Sequence, residues 1–225
     1  MARQRGREVR VHEALAQPML RVLGPKAGAY LAHLHREHGV DLQLNVEPLP
    51  DANLVAVGSV PRMELAEQAG LTVDRGIVVD RFGRTSAEGV FAAGDVTRFF
   101  HPLYETHIRV EHFQTAQRQG YAVGVAMAGN ADVPPDEVPW FWSDQYDLNL
   151  QYVGAGLPWD ETVVRGVVGE PPFTVFYLDS GRLVAAAGFN DYHTVSRARH
   201  VMEARKSVSA HQLADPNFDL RRVLA

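Results

Sequence analysis

Asp95 closes the run Val90-Phe91-Ala92-Ala93-Gly94-Asp95, which reads as a buried strand ending in Gly-Asp. In open α/β sheets, ligands sit beyond the carboxyl ends of strands. Gly94 there lets a ligand approach the backbone. Asp95 can accept a hydrogen bond from a sugar or polyol hydroxyl. Gly-Asp is also a common turn pair, and a solvated turn is its commoner outcome. A second candidate is the helix expected from about 114 to 128, after His112-Phe113-Gln114-Thr115. Its first amides have no intrahelical partner and form the positive end of the dipole. Such an end suits a phosphate, or a heterocycle that becomes anionic on reduction. The plainer alternative is a helix capped by Thr115 and packed through Gly120, Ala122, Gly124, Ala126 and Ala128.

Two further places carry candidate residues. In PWFWSDQYD (139–147), Trp140, Phe141, Trp142 and Tyr146 alternate with polar groups. Strand alternation puts Trp140 and Trp142 on one face and Phe141 on the other, so at least one ring meets a surface or a ligand. Glu13 ends the short strand VRVHE (9–13). An acid at the end of the second strand of a dinucleotide-binding unit hydrogen-bonds a ribose, although most such acids are simply solvated.

Several chemistries are not visible. The chain has no G-x-G-x-x-G, no phosphate-loop G-x-x-x-x-G-K-[ST], no G-x-S-x-G and no H-E-x-x-H. It has 0 cysteines, which removes disulfides, Cys-ligated metal and thiol redox chemistry within this chain and fits a reducing compartment. Among 10 histidines, His35 and His38 share a helix face without an evident carboxylate partner, so a solvated face is expected there and no metal site. A charge of −5, from 22 basic and 27 acidic residues, excludes a strongly basic nucleic-acid binder. No apolar run reaches the roughly 18 residues of a membrane span. MARQRGREVR has no apolar segment after it, so no secretory signal is expected.

The elements that must position these residues read as follows. VRVHE, a helix over about 25–38 started by Gly24-Pro25 and stopped by Gly39, and VDLQL (40–44) make a strand–helix–strand unit. Ala27, Tyr30, Leu31 and Leu34 form the apolar face of that helix. After a two-proline connector (45–52), NLVAVG (53–58) reads as a buried strand, 62–69 as a short helix and IVVD (77–80) as a strand. IRVEH (108–112) leads into the helix from about 114. DVPPDEVP (132–139) is the best boundary. Beyond it come alternating strands, a hairpin at DSGR (179–182) and a helix over about 191–206. The pattern is an antiparallel sheet with a helix on it.

Taken together, VDRGIVVDRFGRTSAEGVFAAGDV, RVEHFQTAQRQG and VPWFWSDQYDLNLQYVG resemble the FAD-dependent, NAD(P)H-linked ferredoxin reductases that serve cytochrome P450 and ring-hydroxylating oxygenase systems. These are a branch of the pyridine-nucleotide-disulfide oxidoreductase superfamily. T-S-x-x-x-V-F-A-x-G-D is the second flavin motif of that superfamily, and FWSDQY points to the ferredoxin-reductase branch. The resemblance covers nearly the whole chain from about residue 9. It implies an α/β fold: a partial pair of Rossmann-like dinucleotide-binding domains, NAD-type over 1–52 and FAD-type over 53–131, followed by an α+β C-terminal reductase domain over 132–225. It implies FAD and NAD(P)H as cofactors, a ferredoxin as partner, hydride transfer to flavin, single-electron transfer onward, and a cytoplasmic location. Carried over by position, Gly94 and Asp95 would meet the ribityl–pyrophosphate portion of FAD. Phe113 and the amides that follow, up to Thr115, would meet the isoalloxazine pyrimidine edge, with Glu111 near that ring. Trp142 would sit by the flavin toward the ferredoxin. Glu13 would receive the adenosine ribose hydroxyls and favour NADH over NADPH.

The sequence departs from that pattern. The chain begins inside the NAD domain, and both glycine fingerprints lie outside it. LVAVGSVPR is one residue short of the usual signature, with Arg62 for Asn, and Thr115 stands where Asn is common. Two expectations follow: weak or no FAD retention by the chain alone, and activity only if a missing N-terminal half or second subunit is supplied. The alternative is a non-catalytic, truncated remnant acting as a protein-interaction module.

Overall fold

The computed structural model describes residues 2–130 and 137–224. Three sheets are formed. In the first, β1 (Arg10–Glu13) and β2 (Asp41–Leu44) pair in parallel across α1 (Leu20–Glu37). The residues of β1 and β2 are those expected to 1–2 positions. α1 contains a break at Gly24, whose φ of 73° is left-handed, and the main helix restarts at Pro25. The glycine is required twice over, because a Cβ there would come within 2.8 Å of the Trp159 ring.

α1 does not pack mainly on its own sheet. Leu23, Ala27 and Leu31 are buried in the core of the C-terminal sheet, with Tyr30 and Leu34 against it. The Tyr30 ring stands edge-on to Phe173 and Phe189, at 5.3 and 5.6 Å. Tyr177 Oη donates to the Leu23 carbonyl at 2.8 Å. Of the expected solvated face, His38 stays exposed while stacking on Tyr146 at 3.6 Å, and His35 is half-buried, its Nδ1 3.1 Å from the Tyr146 hydroxyl. Burial, with His38 beside it, pulls the His35 pKa down.

The second region holds α2 (Glu64–Gln68) and a sheet of β3 (Ile77–Val79), β4 (Thr97–His101) and β5 (Thr106–Ile108), followed by α3 (Phe113–Met127). Two expectations fail here. VFAAGD is not a strand. Phe91 makes one isolated bridge to Arg84, and the strand beside β3 is β4, which starts after Asp95. NLVAVG is neither buried nor a strand: Leu54 is 85% exposed and Val57 70% exposed. Apolar residues become a central strand only when flanking strands accept their backbone hydrogen bonds. Among the described residues none pairs with 53–60. We expect the amides of 53–62 to be the least protected internal stretch in hydrogen exchange, near unfolded-chain rates, while those of β9 and β10 match the global stability. Protection of 53–58 comparable to β3 would contradict this.

The third region is a five-stranded antiparallel sheet in the order β6-β7-β10-β9-β8. It comprises β6 (Trp140–Gln145), β7 (Leu148–Gly154), β8 (Glu161–Val167), β9 (Glu170–Asp179) and β10 (Arg182–Phe189). Asp179 pairs with Arg182 across the expected hairpin. α4 (Tyr192–Glu203) packs on β7 and β10, and α5 (Ala210–Ala214) packs on β8. Phe173 and Phe189 stack at 4.3 Å in the core. The boundary expected at 132–139 falls, over 132–136, outside the described residues. No described helix is long and apolar enough to cross a membrane.

Candidate functional site

The start of α3 faces the start of β6, and an open hollow of about 420 Å³ lies between them. One wall is Glu111, His112, Phe113 and Gln114; the other is Trp140, Phe141 and Trp142. Strand alternation explains the second wall. Trp140 and Trp142 lie on the same face, ring centroids 5.6 Å apart, while Phe141 turns to the core and stacks on Tyr152 at 5.1 Å. The walls touch where the His112 ring meets Phe141 edge-on at 5.2 Å. Phe113 is 74% and Trp142 48% exposed. Two large rings left open beside a concave hollow are what a flat aromatic ligand needs.

Glu111 is held from two sides. Arg109 Nη1 donates to its carboxylate at 2.5 Å and Ser59 Oγ at 2.7 Å. Those bonds, Ser59 first and Arg109 next, hold the Glu111 pKa below the usual carboxylate range. A depressed folded pKa contributes stability above the unfolded value and loses it as pH falls through the folded one. We therefore expect the urea midpoint to drop slightly below about pH 4. Glu111→Gln should remove that part of the pH dependence, by well under about 1 kcal/mol because the pair is part-exposed.

The same Arg109 links Asp95 to the hollow, since its Nη1 also reaches the Asp95 carbonyl at 3.4 Å. Asp95 is exposed, and its charge acts on His112. Burial outweighs that charge and lowers the His112 pKa. Gly94 has a φ of 82°, while a Cβ there would meet only Ala116 at 3.8 Å. Glycine is thus needed for the turn and not for lack of room. The Gly94 amide donates to Gln119 Oε1 at 2.7 Å, and Thr97 Oγ1 donates to the same oxygen at 2.9 Å. Gln119 thereby pins the Gly94–Thr97 turn to α3.

Of the sequence-expected residues, Glu111, Phe113 and Trp142 line this hollow, and Asp95 joins it through Arg109. Gly94 stands one turn away, against α3. Thr115 is not the helix cap; α3 starts at Phe113 after His112, and Thr115 lines a neighbouring cavity that shares Gln114 and Trp140 with the hollow. Glu13 belongs to another sheet, at the carboxyl end of β1, where its carboxylate accepts from the Leu15 amide at 2.8 Å. Sequence reading missed Arg109, His112 and Gln119. Arg109-x-Glu111 carried a signal, since residues two apart on extended chain share a face. The role of Gln119 had none.

The residues fit the heterocyclic end of a flavin: an apolar, ring-lined slot beside unpaired helix amides, within the usual size of ligand pockets. Among the described residues no cluster of three acidic or histidine side chains could hold a metal ion.

Residues 140–224 match the family described as Reductase C-terminal, and residues 50–120 match Pyridine nucleotide-disulphide oxidoreductase. The chain is 40% identical over 99% of its length to the anthranilate 1,2-dioxygenase system ferredoxin–NAD(+) reductase component of Burkholderia cepacia, covering 60% of that protein. It is 32% identical to putidaredoxin reductase of Pseudomonas putida, covering 95% of this chain and 56% of that one. The ferredoxin reductase for the CYP199A2 system of Rhodopseudomonas palustris superposes with a TM-score of 0.90 at 32% identity, over 100% of this chain and 60% of that one. The reductase in the covalent putidaredoxin reductase–putidaredoxin complex gives 0.88 at 31% identity, over 96% and 57%. The chain thus spans about three fifths of the length of the relatives it matches.

Proposed function

We propose that this chain is the flavin- and ferredoxin-facing part of a ferredoxin reductase, an oxidoreductase passing electrons from NAD(P)H to an iron–sulfur ferredoxin, a reading supported by its matches to the Reductase C-terminal and Pyridine nucleotide-disulphide oxidoreductase families and to ferredoxin reductases. The carrying observation is the hollow between Glu111–Gln114 and Trp140–Trp142. Bound FAD supplies the conversion of a two-electron hydride donor into one-electron output. The chain's residues hold and shield that group. Phe113 and the first amides of α3, through Thr115, bind the pyrimidine edge, where the helix dipole favours negative charge. Glu111, clamped by Arg109, stays ionised beside the ring. Gly94 and Asp95 meet the ribityl–pyrophosphate side. Trp142 would sit by the flavin, toward the face where the ferredoxin docks. Glu13 accepts the adenosine ribose hydroxyls of the nicotinamide cofactor and disfavours a 2′-phosphate, so NADH is preferred.

The units proposed are NAD-binding over 1–52, FAD-binding over 53–131 and reductase C-terminal over 132–225, with α1 serving the core of the last. The absence of cysteine supports a reducing, cytoplasmic setting. A second reading, a non-catalytic interaction module, is favoured by the exposed apolar stretch at 53–60.

One titration tests both. FAD added to the purified chain should bind weakly, with its emission quenched against Trp142 and Phe113. Trp142→Ala should cut the quenching several-fold. NADH-dependent reduction of a one-electron acceptor, measured with the missing N-terminal half supplied as a second polypeptide, then separates an oxidoreductase from a module. FAD emission unchanged up to millimolar chain would overturn the flavin reading.

A further inference from the structure

α3 packs on the rest of the chain around Val123, which is buried over Gly83, and Gln119, which pins the Gly94–Thr97 turn. A separate stripe of the same helix, Phe113, Gln117, Gly120, Gly124 and Met127, is exposed. Steps of four, three, four and three residues are the spacing of a helix-pair seam. Tyr121 flanks it. Phe113 is 74%, Tyr121 73% and Met127 63% exposed. Single exposed apolar residues are ordinary, but large ones lined up on one helix face mark an interaction surface. The two glycines point the same way. Each costs a helix interior about 1 kcal/mol against alanine. A Cβ at either would meet nothing within 4 Å. The packing of this chain has no use for them, whereas close approach by a body outside it does. The stripe is also uncharged: Arg118, the one charged residue of α3, lies on another face and pairs with Glu137.

We propose that this stripe is a dimer interface, covered by α3 of a second copy of the chain running antiparallel. A two-fold axis needs a face that complements itself, and an uncharged one meets its own copy without repulsion. With the axis beside Gly120 the match is specific. Gln117 lies opposite Gly124 of the partner subunit, each Tyr121 ring crosses Gly120 of the partner subunit, and Phe113 meets Met127 of the partner subunit. Large side chains thus fall on glycines, and a sulfur falls beside a ring. Antiparallel helices also set opposite dipole ends together. Four rings about three-quarters exposed, two methionines and the apolar 53–60 stretch offer roughly 1,000 Å², the low end of specific interfaces. The 53–60 stretch is held beside the helix start by the hydrogen bond from Ser59 to Glu111. Phe113 lines the hollow, so each hollow gains Met127 of the partner subunit at its rim. The pairing needs no flavin and stands apart from that reading.

Sedimentation equilibrium of the full chain should pass from the mass of one chain to that of two, with a dissociation constant of about 10 μM. Tyr121→Glu buries a charge in the seam and should weaken the dimer at least tenfold. Tyr192→Glu makes the same change at an exposed tyrosine of α4 and should leave it intact. Gly120→Ala should weaken the dimer several-fold, although it strengthens the helix of the dilute single chain. Phe113 and Met127 stand about 21 Å apart along one helix. A nuclear Overhauser contact between the Met127 methyl and the Phe113 ring therefore crosses the interface, and it should vanish on dilution. Hydrogen exchange of β9 and β10 shows that each variant is folded. A chain monomeric up to about 100 μM, association that continues past two copies, or a dimer indifferent to Tyr121→Glu overturns the proposal. A monomer whose α3 amides become protected only when the missing N-terminal half is added assigns the face to that half and overturns it as well.

Discussion

Replacing Arg165 with alanine should cost about 3–5 kcal/mol and release the C-terminal 15 or so residues from the sheet. Arg165 projects from β8 and is 8% exposed. Its guanidinium donates to three backbone carbonyls of the segment that follows α4: Leu213 at 2.8 Å, Gln212 at 2.9 Å and Phe218 at 3.3 Å. It also lies over the Phe176 ring at 5.5 Å. A hydrogen bond from a charged donor is worth about 1.5–3 kcal/mol, and an acceptor left buried without one costs about 1–3 kcal/mol. Truncation strands three acceptors at once. Lysine has one point charge and no planar fork, so Arg165→Lys should recover less than half of the loss. Urea unfolding measures the size, and limited proteolysis after α4 measures the release. A loss below about 1 kcal/mol would mean that water replaces the guanidinium and that the tail holds on through Leu213 and Leu220 alone.

Gly188→Ala should cost about 3 kcal/mol, because here one methyl group has nowhere to go. Gly188 is in β10 where α4 crosses the sheet. A Cβ would come within 2.4 Å of Val195 Cγ2 and 2.8 Å of the Asp191 carbonyl oxygen. The valine tip can turn aside, but the carbonyl belongs to the helix cap and cannot. Asp191 accepts from the Thr194 amide at 3.3 Å and from Thr174 Oγ1 at 2.7 Å. Pushing it away strains the cap as well as the core. Gly124→Ala is the internal control. A Cβ there meets nothing within 4 Å, and α3 should gain about 0.5–1 kcal/mol from the exchange. Equal effects at the two glycines, read from urea midpoints at constant slope, would show that backbone entropy decides both and that the contact with α4 does not.

Both substitutions strike the module that carries the Trp140–Trp142 wall, so stability and site are linked through one sheet. β6 is an edge strand, held by β7 alone. The tryptophan wall keeps its position only while β7 and β10 keep their register. Loosening at Gly188 should therefore lower flavin quenching as well as the urea midpoint.

How much of this was legible depends on which forces were local. The helix over 25–38 could be read because Ala27, Tyr30, Leu31 and Leu34 repeat with the helical period and Gly24-Pro25 marks its start. The 179–182 hairpin could be read because Asp-Ser-Gly-Arg carries its own turn chemistry. VFAAGD and NLVAVG read as strands on the same grounds, namely runs of apolar residues, and neither became one. A strand is half of a pair, and its partner is not written in its own residues. His35 looked solvated because the ring it meets, Tyr146, lies more than 100 positions away.

The sequence alone determined what could be present: the aromatic alternation of Trp140, Phe141 and Trp142, the Gly94-Asp95 turn, the start of α3, and the kinship these imply. Periodicity and turn chemistry act over a few residues, so one stretch of chain is enough to reveal them. Only the tertiary structure decided that Glu111 and Trp142 face each other across a hollow, that Arg109 ties Asp95 to it, that Gln119 pins the Gly94 turn, and that α1 serves the distant sheet. Those are meetings between segments far apart along the chain. Their positions follow from how α3, β6 and α1 bury their apolar faces together, and no single segment encodes that outcome.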